Sequence, residues 1–200
     1  ASALVLPVIS GVAFVATIAA RRLVEAEIDG RDHALFYAAW LLTIAGMLGQ
    51  VTTGDAFNIF VFLEISSLSA YALVAMGAGR DRRALTAGFN YLILGTVGAT
   101  FYVIGLGLLY MLTGTLNLMD LSERLADVQS TRAAFTALAF IALGLFLKMA
   151  LFPLHFWLVP AYAHAPSAVS ALMAATATKV SVYVLIRLVF GVFGIDFPGL

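Results

Sequence analysis

The sequence predicts an all-α integral membrane protein of about six transmembrane helices, and three observations carry that expectation. Six apolar runs are each near the ~20 residues that a helix needs to cross ~30 Å of hydrocarbon. Charged residues make up 11% of the chain, against about 25% in a soluble domain, and mean hydropathy is +1.02. Eight of the nine arginines sit in or beside the polar connections between runs, where a charge that cannot be neutralised stays in water.

The first run, 3–20, has no basic segment before it and therefore reads as a span rather than a signal peptide. A charged connection, 21–33, leads to the second run, 35–53. The short turn 52–55 leads to the third, 56–77, and the basic connection 79–83 precedes the fourth, 86–112. Gly95, Gly98, Gly105 and Gly107 in the fourth run are expected to let helix backbones approach closely. The polar stretch 120–132 leads to the fifth run, 133–152. The junction 153–166 is aromatic and holds Pro153, Pro160 and Pro166 with His155 and His164, so the helix is expected to break there rather than finish. The sixth run covers 167–192. One transmembrane domain, 1–200, accounts for all of this. The absence of a starting methionine and the abrupt close at 196–200 predict part of a longer polypeptide.

Arg21, Arg22, Arg31, Arg80, Arg82 and Arg83 fall on one side of the spans, and Arg124, Arg132 and Arg187 on the other. The larger set is expected in the cytoplasm, which puts the N-terminus outside a multi-pass protein of the cell (inner) membrane.

Several function classes are excluded. Net charge is zero with no basic tail for nucleic acid. The absence of cysteine removes Cys-ligated iron–sulfur clusters, zinc fingers and disulfides. There is no Gly-x-Gly-x-x-Gly after a strand, no P-loop, no Ser/His/Asp set and no carboxylate cluster for a metal. The two histidines lack matching partners on facing helices for a haem. No catalytic, cofactor-binding or metal-ligating residues are therefore assigned.

Three titratable side chains sit where charge is costly. A charge in a bilayer core costs at least ~2.5–3.5 kcal/mol on insertion scales. Glu64 lies ~12 Å into its run, with Ser67 and Tyr71 at i+3 and i+7 forming one polar stripe. Lys148 lies just before Pro153. Lys179 is nearly central in its run, with Thr176 and Tyr183 on its face. Unlike arginine, Glu and Lys trade protons when burial and partners change, so Glu64, Lys148 and Lys179 read as a proton path. His155 and His164 are candidate relays because imidazole titrates near neutral pH.

Four stretches carry a family resemblance: Thr53-Gly-Asp-Ala-Phe-Asn-Ile-Phe-Val-Phe-Leu-Glu64; Thr113-Gly-Thr-Leu-Asn117; Leu147-Lys-Met-Ala-Leu-Phe-Pro-Leu-His-Phe-Trp157-Leu; and His164-Ala-Pro-Ser-Ala-Val-Ser-Ala-Leu172 leading to Lys179. In that order they resemble the antiporter-like subunits. This family comprises the D-type and related A-type subunits of multisubunit sodium/proton antiporters, and the homologous membrane subunits of respiratory complex I and membrane-bound hydrogenases. The first two stretches look more like the D-type antiporter subunit. The resemblance implies an antiporter-like bundle of about fourteen helices with two inverted five-helix repeats. This sequence would supply the third to eighth helices, holding one five-helix repeat with a broken helix. It also implies roles in proton translocation for Glu64, Lys148 and Lys179, as the fifth-helix glutamate, the broken seventh-helix lysine and the eighth-helix lysine or histidine.

The mechanism expected is ion translocation. Glu64 and Lys148 pair within the membrane, the pair opens, and the unpartnered amine gives its proton through water towards Lys179. The expected role is the proton-translocating subunit of a multisubunit monovalent cation/proton antiporter. The alternative is a proton-pumping membrane-arm subunit of a complex I-like NADH:quinone oxidoreductase or membrane-bound hydrogenase, with the redox chemistry on partner subunits. Either way the expected partners are other membrane subunits, the lipid bilayer and protons, with sodium as a second candidate ion. No cofactor is expected.

Overall fold

Eight α-helices follow one another in the computed structural model, which describes residues 2–194 and Phe197. The expected close at 196–200, Phe197 apart, lies outside the described residues. The helices are α1 (Ser2–Glu27), α2 (His33–Thr52), α3 (Ala56–Ala75), α4 (Arg83–Thr113), α5 (Leu118–Ala126), α6 (Arg132–Met149), α7 (Leu158–His164) and α8 (Ser167–Leu188). Six of them, α1, α2, α3, α4, α6 and α8, are long and apolar enough to cross a membrane. Large apolar side chains such as Leu4, Phe14, Leu41, Phe89 and Met111 remain exposed on the outside of the bundle, as a lipid-facing surface requires.

The two short connections on one end of the bundle are clasped together. Asp55 begins α3 by accepting from the backbone N–H groups of Phe57 and Asn58. Asn117 begins α5 by accepting from that of Met119. Asp55 and Asn117 also pair as an isolated antiparallel bridge, with Ala56 N donating to Leu116 O at 2.8 Å and Leu118 N to Gly54 O at 2.9 Å. Two of the stretches that carry the resemblance are thus one structural unit.

The helix α5 corrects the reading of 120–132 as a plain polar connection. Leu118, Leu121 and Leu125, at i, i+3 and i+7, are its buried residues. That helical stripe was present in the sequence but too short to register as a span.

Glycines set the closest helix contacts. A Cβ on Gly98 would lie 3.0 Å from the carbonyl oxygen of Gly144, and one on Gly105 would lie 2.6 Å from Ile141 Cγ1, so α4 and α6 touch backbone to backbone. Gly107 is different. Its Cβ position meets nothing within 4 Å, and its expected packing role is corrected: it lies on the outer face of α4.

Helix α6 has 18 residues, about 27 Å of rise at 1.5 Å per residue, the shortest of the six spans, and apolar sequence continues beyond its end through Leu151, Phe152, Leu154 and Phe156. Ala150 turns left-handed at φ 55°, and an irregular segment runs to Trp157 before α7 resumes. Pro153 carries no N–H and disfavours helix at the residue before it. The helix stops ahead of both. The carbonyl of Leu147, left by the break without its i+4 helical partner, accepts from Trp157 Nε1 at 2.9 Å and from the N–H of Ala150 at 3.2 Å.

Candidate functional site

The break in α6 leaves Lys148 at the last turn, turned into the bundle against the polar stripe of α3. Its amine donates to Ser67 Oγ at 2.8 Å, Tyr71 OH at 3.2 Å and Glu64 Oε1 at 3.4 Å. Three donors of an ammonium thus meet three oxygens from one helix face, which is what i, i+3 and i+7 spacing supplies. Ser67 lies eleven residues beyond Ala56, about 16 Å along a helix of about 30 Å, so the amine is near mid-depth. The side chain of Lys148 is 5% exposed and that of Glu64 22%. The lysine is enclosed while the carboxylate keeps an edge towards the surroundings.

An aromatic wall holds this arrangement. Tyr91 meets Tyr71 edge-on with centroids 4.4 Å apart, and Trp157 stacks on Tyr91 at 4.2 Å and 4°. Gly95 makes room for Tyr71, since a Cβ there would run into the phenolic oxygen. Sequence reasoning missed Tyr91 and Trp157 and read Gly95 only as a helix contact. The clustering of aromatics around Pro153 was the available signal for Trp157. Nothing local marked Tyr91.

A cavity of about 30 Å³ opens beside the amine, between α2, α3, α6 and α8, with Tyr91 of α4 also on its wall. Polar groups on its wall include Thr43, Gln50, Ser67, Lys148, Thr176 and Ser181. Gln50 and Thr43 on α2 are a second omission from the sequence reading. They are uncharged and therefore inconspicuous in an apolar run.

Lys179 is not brought to this site. It is exposed, and its amine donates to the carbonyl of Ala174 in its own helix. It lines a groove of about 320 Å³ between α1 and α8 with Leu4, Val8, Val180 and Tyr183. Its expected neighbours are engaged elsewhere: Thr176 donates to Leu172 O, and the Tyr183 hydroxyl meets Ser2 Oγ at 2.6 Å. Thr176 is nonetheless shared by the groove and the inner cavity, so it stands between the two lysines.

The histidines part company as well. His155 lies against the rings of Phe152 and Phe156, and its buried Nδ1 has no hydrogen-bond partner among the described residues. His164 sits at the far end of α7, with Nδ1 3.2 Å from Asp81 Oδ2. Asp81 is held below the usual carboxylate range, chiefly by the backbone N–H of Arg83 and then by the charges of His164 and Arg83. His164 and Asp81 line a cleft of about 450 Å³ with Glu27 and Arg80. Glu27 accepts from Ser167 N at 2.7 Å and Ser167 Oγ at 2.5 Å, tying the end of α1 to the start of α8, and meets Arg80 at 3.5 Å. Gly77 lies under the carbonyl of His164, with no room for a side chain.

Residues 53–196 match the family described as NADH:quinone oxidoreductase/Mrp antiporter, TM. The chain is 51% identical over 80% of its length to NADH-quinone oxidoreductase subunit N of Desulforudis audaxviator, covering 31% of that relative. It is 35% identical over 80% of its length to the D-type subunit of the Na(+)/H(+) antiporter of Bacillus subtilis, covering 32%. It thus spans about a third of the length of these curated relatives. Among solved structures, a chain of the membrane-bound sulfane sulfur reductase, an archaeal respiratory membrane complex, matches with a TM-score of 0.85 and 32% identity over 99% of this chain and 39% of the other. A chain of the Mrp complex from Dietzia sp. DQ12-45-1b matches with a TM-score of 0.83 and 30% identity over 96% of this chain and 35% of the other.

Proposed function

The chain belongs to the NADH:quinone oxidoreductase/Mrp antiporter transmembrane family, and from that premise we propose that it translocates protons by opening and closing the Glu64–Lys148 pair. It is a multi-pass membrane protein of the antiporter-like kind. The observation that carries the reading is the ammonium of Lys148, enclosed at mid-depth and 3.4 Å from the Glu64 carboxylate.

With the pair closed, the carboxylate and two hydroxyls compensate the buried ammonium. When Glu64 swings towards its exposed edge, Lys148 loses its counter-charge. An uncompensated buried ammonium is costly, and it relieves that cost by releasing its proton. The adjacent cavity offers the proton a direction, along α8 towards Thr176 and the groove of Lys179. His164, in the cleft at the other end of α7, takes part in proton uptake, and His155 stands as a further relay. The excess of arginine in the connections on that side of the spans supports a cytoplasmic position for the cleft, with the N-terminus outside.

The assembly proposed first is a multisubunit monovalent cation/proton antiporter, as the stretches 53–64 and 113–117 suggest by resemblance. Sodium is then the second ion. A second reading has a specific observation behind it: the relative that is 51% identical is named a subunit of an NADH-quinone oxidoreductase. Under that reading the same pair moves protons in the membrane arm of a redox complex. In both, the partners are other membrane subunits.

The test replaces Glu64 by Gln and, separately, Lys148 by Ala in the complete assembly. Proton-coupled transport into everted membrane vesicles is expected to fall to background in each, with the complex still assembled. Normal transport by either well-expressed variant rejects the reading. Whether transport then requires sodium or a reducible quinone separates the two assemblies.

A further inference from the structure

Release of a proton by Lys148 needs a group to receive it. All three donors of the amine point at α3 oxygens in the closed arrangement. Departure therefore needs an acceptor on another side, and the cavity is the one space that the amine shares with both α2 and α8 among the described residues.

Its volume of about 30 Å³ holds roughly two water molecules, since each needs at least ~10–15 Å³ of this measure and two to four polar partners. The wall determines how such water lies. Gln50 is 3% exposed. Its Nε2 donates to Ser66 Oγ at 3.0 Å and to the carbonyl of Gly46 at 3.3 Å. The Gly46 carbonyl only accepts, and the Ser66 hydroxyl gives its hydrogen to Leu63 O at 3.0 Å. The amide orientation is thereby fixed from two sides. Gln50 Oε1 is left as an acceptor that no described residue reaches. Across the cavity, Thr176 and Ser181 donate to the carbonyls of Leu172 and Ala177 in α8, so their oxygens also face outwards as acceptors. Water held by these groups points its hydrogens at them and keeps a lone pair for the amine.

We infer that Gln50 is the positioning residue for proton departure from Lys148, holding water in the α2–α3–α6–α8 cavity with its lone pair towards the amine. The inference rests on the proton-translocating role proposed for Lys148. In the step, an N–H bond of the ammonium breaks and its electron pair stays on Nζ. The proton bonds to the water oxygen, and that water passes one of its own protons to the next water, towards Thr176. Gln50 itself neither gains nor loses a proton. The titratable groups around the amine are Glu64 and Tyr71 on α3 and Tyr91 on α4. From α2 and α8 the described residues on the cavity wall are uncharged.

The experiment compares Gln50→Leu, Ser66→Ala and Thr176→Val with the wild-type subunit in the complete complex. Proton transport is followed in everted vesicles from neutral to alkaline pH, and assembly is checked by native electrophoresis. Gln50→Leu is expected to lower transport at neutral pH by about tenfold to a hundredfold, the upper figure being the loss that a one-ångström misplacement of a reacting group can cause. The loss is expected to shrink as pH rises, because hydroxide replaces the missing oriented acceptor. Ser66→Ala removes the amide's anchor but not its oxygen, and keeps most of the transport. Thr176→Val shows a smaller loss with the same recovery at high pH. A loss by Gln50→Leu that is equal at every pH overturns the inference. If Gln50→Leu fails to assemble, wild-type behaviour of Thr176→Val overturns it. Should Lys148→Ala transport normally, the proton-translocating role fails first. With Lys148→Ala inactive and Gln50→Leu normal, this inference alone fails.

Discussion

Both lysines of this chain sit inside apolar helices, and the fold treats them in opposite ways. Lys148 ends a helix that breaks inside the membrane, and there it gains a carboxylate, two hydroxyls and a polar cavity. Lys179 sits in an unbroken helix and finds only a backbone carbonyl of its own turn, facing an apolar groove. The difference lies in backbone regularity. A regular helix satisfies its own backbone and has no reason to draw polar groups around it, whereas a broken one frees carbonyls that must be covered where water is scarce. Trp157 covers one such carbonyl, stacks on Tyr91, and so brings the aromatic wall against Tyr71. The enclosure of Lys148 is a consequence of the break.

If that enclosure matters, disturbing it from α4 should harm transport without touching any charged group. In Gly95→Ala, the added methyl meets the Tyr71 oxygen that accepts from Lys148, and Tyr71 is wedged between Tyr91 and α4. Transport in everted vesicles is expected to fall by up to about a hundredfold, the scale of an ångström-sized displacement. The analogous change at Gly107, which meets nothing within 4 Å, should leave transport unchanged. Equal effects at the two glycines would mean that α4 tolerates or resists alanine for reasons unrelated to Lys148.

Lys179→Ala sharpens the comparison from the other side. The amine of Lys179 reaches none of the oxygens that hold Lys148 and donates only to a carbonyl of its own helix, so its removal should leave most of the transport in place. The transport measurement that reads Lys148→Ala as inactive is expected to find Lys179→Ala clearly active. Complete loss in both would show that the groove of Lys179 is enclosed in the working complex and that the two lysines act in series.

What was legible in the sequence follows the same division. The spans were visible because hydrocarbon demands long apolar runs. The stripe Glu64–Ser67–Tyr71 was visible because helical spacing puts i, i+3 and i+7 on one face. The break near Pro153 was visible from the chemistry of proline. The facing of Lys179 was not, since an apolar helix with a weak moment gives no preferred side, and Thr176 and Tyr183 were engaged elsewhere. Gln50 and Tyr91 were hidden for a related reason. Their importance comes from side chains on other helices, at sequence separations that no local pattern reports. Gly95 and Gly107 looked alike in sequence and differ only in what lies opposite.

The smallest effect concerns the end of the bundle, where water takes over from hydrocarbon and charges are no longer costly. Asp81 is held below the usual carboxylate range by the N–H of Arg83 and by the charges of His164 and Arg83. A carboxyl whose affinity for protons is lower in the folded state stabilises that state above its unfolded value, about 3.9. That stabilisation disappears as pH falls through the depressed folded value. Asp81→Asn should therefore lower the melting temperature of the complex slightly at neutral pH, and the difference should close only in acid, below about pH 4. The exposed carboxylate faces water and salt, so the pair with His164 cannot act as the enclosed one does, and transport at neutral pH should change little. A large loss of transport in Asp81→Asn, with the complex still folded, would place a second essential charge pair at the membrane surface and remove the contrast between the enclosed lysine and every other ionisable group of the chain.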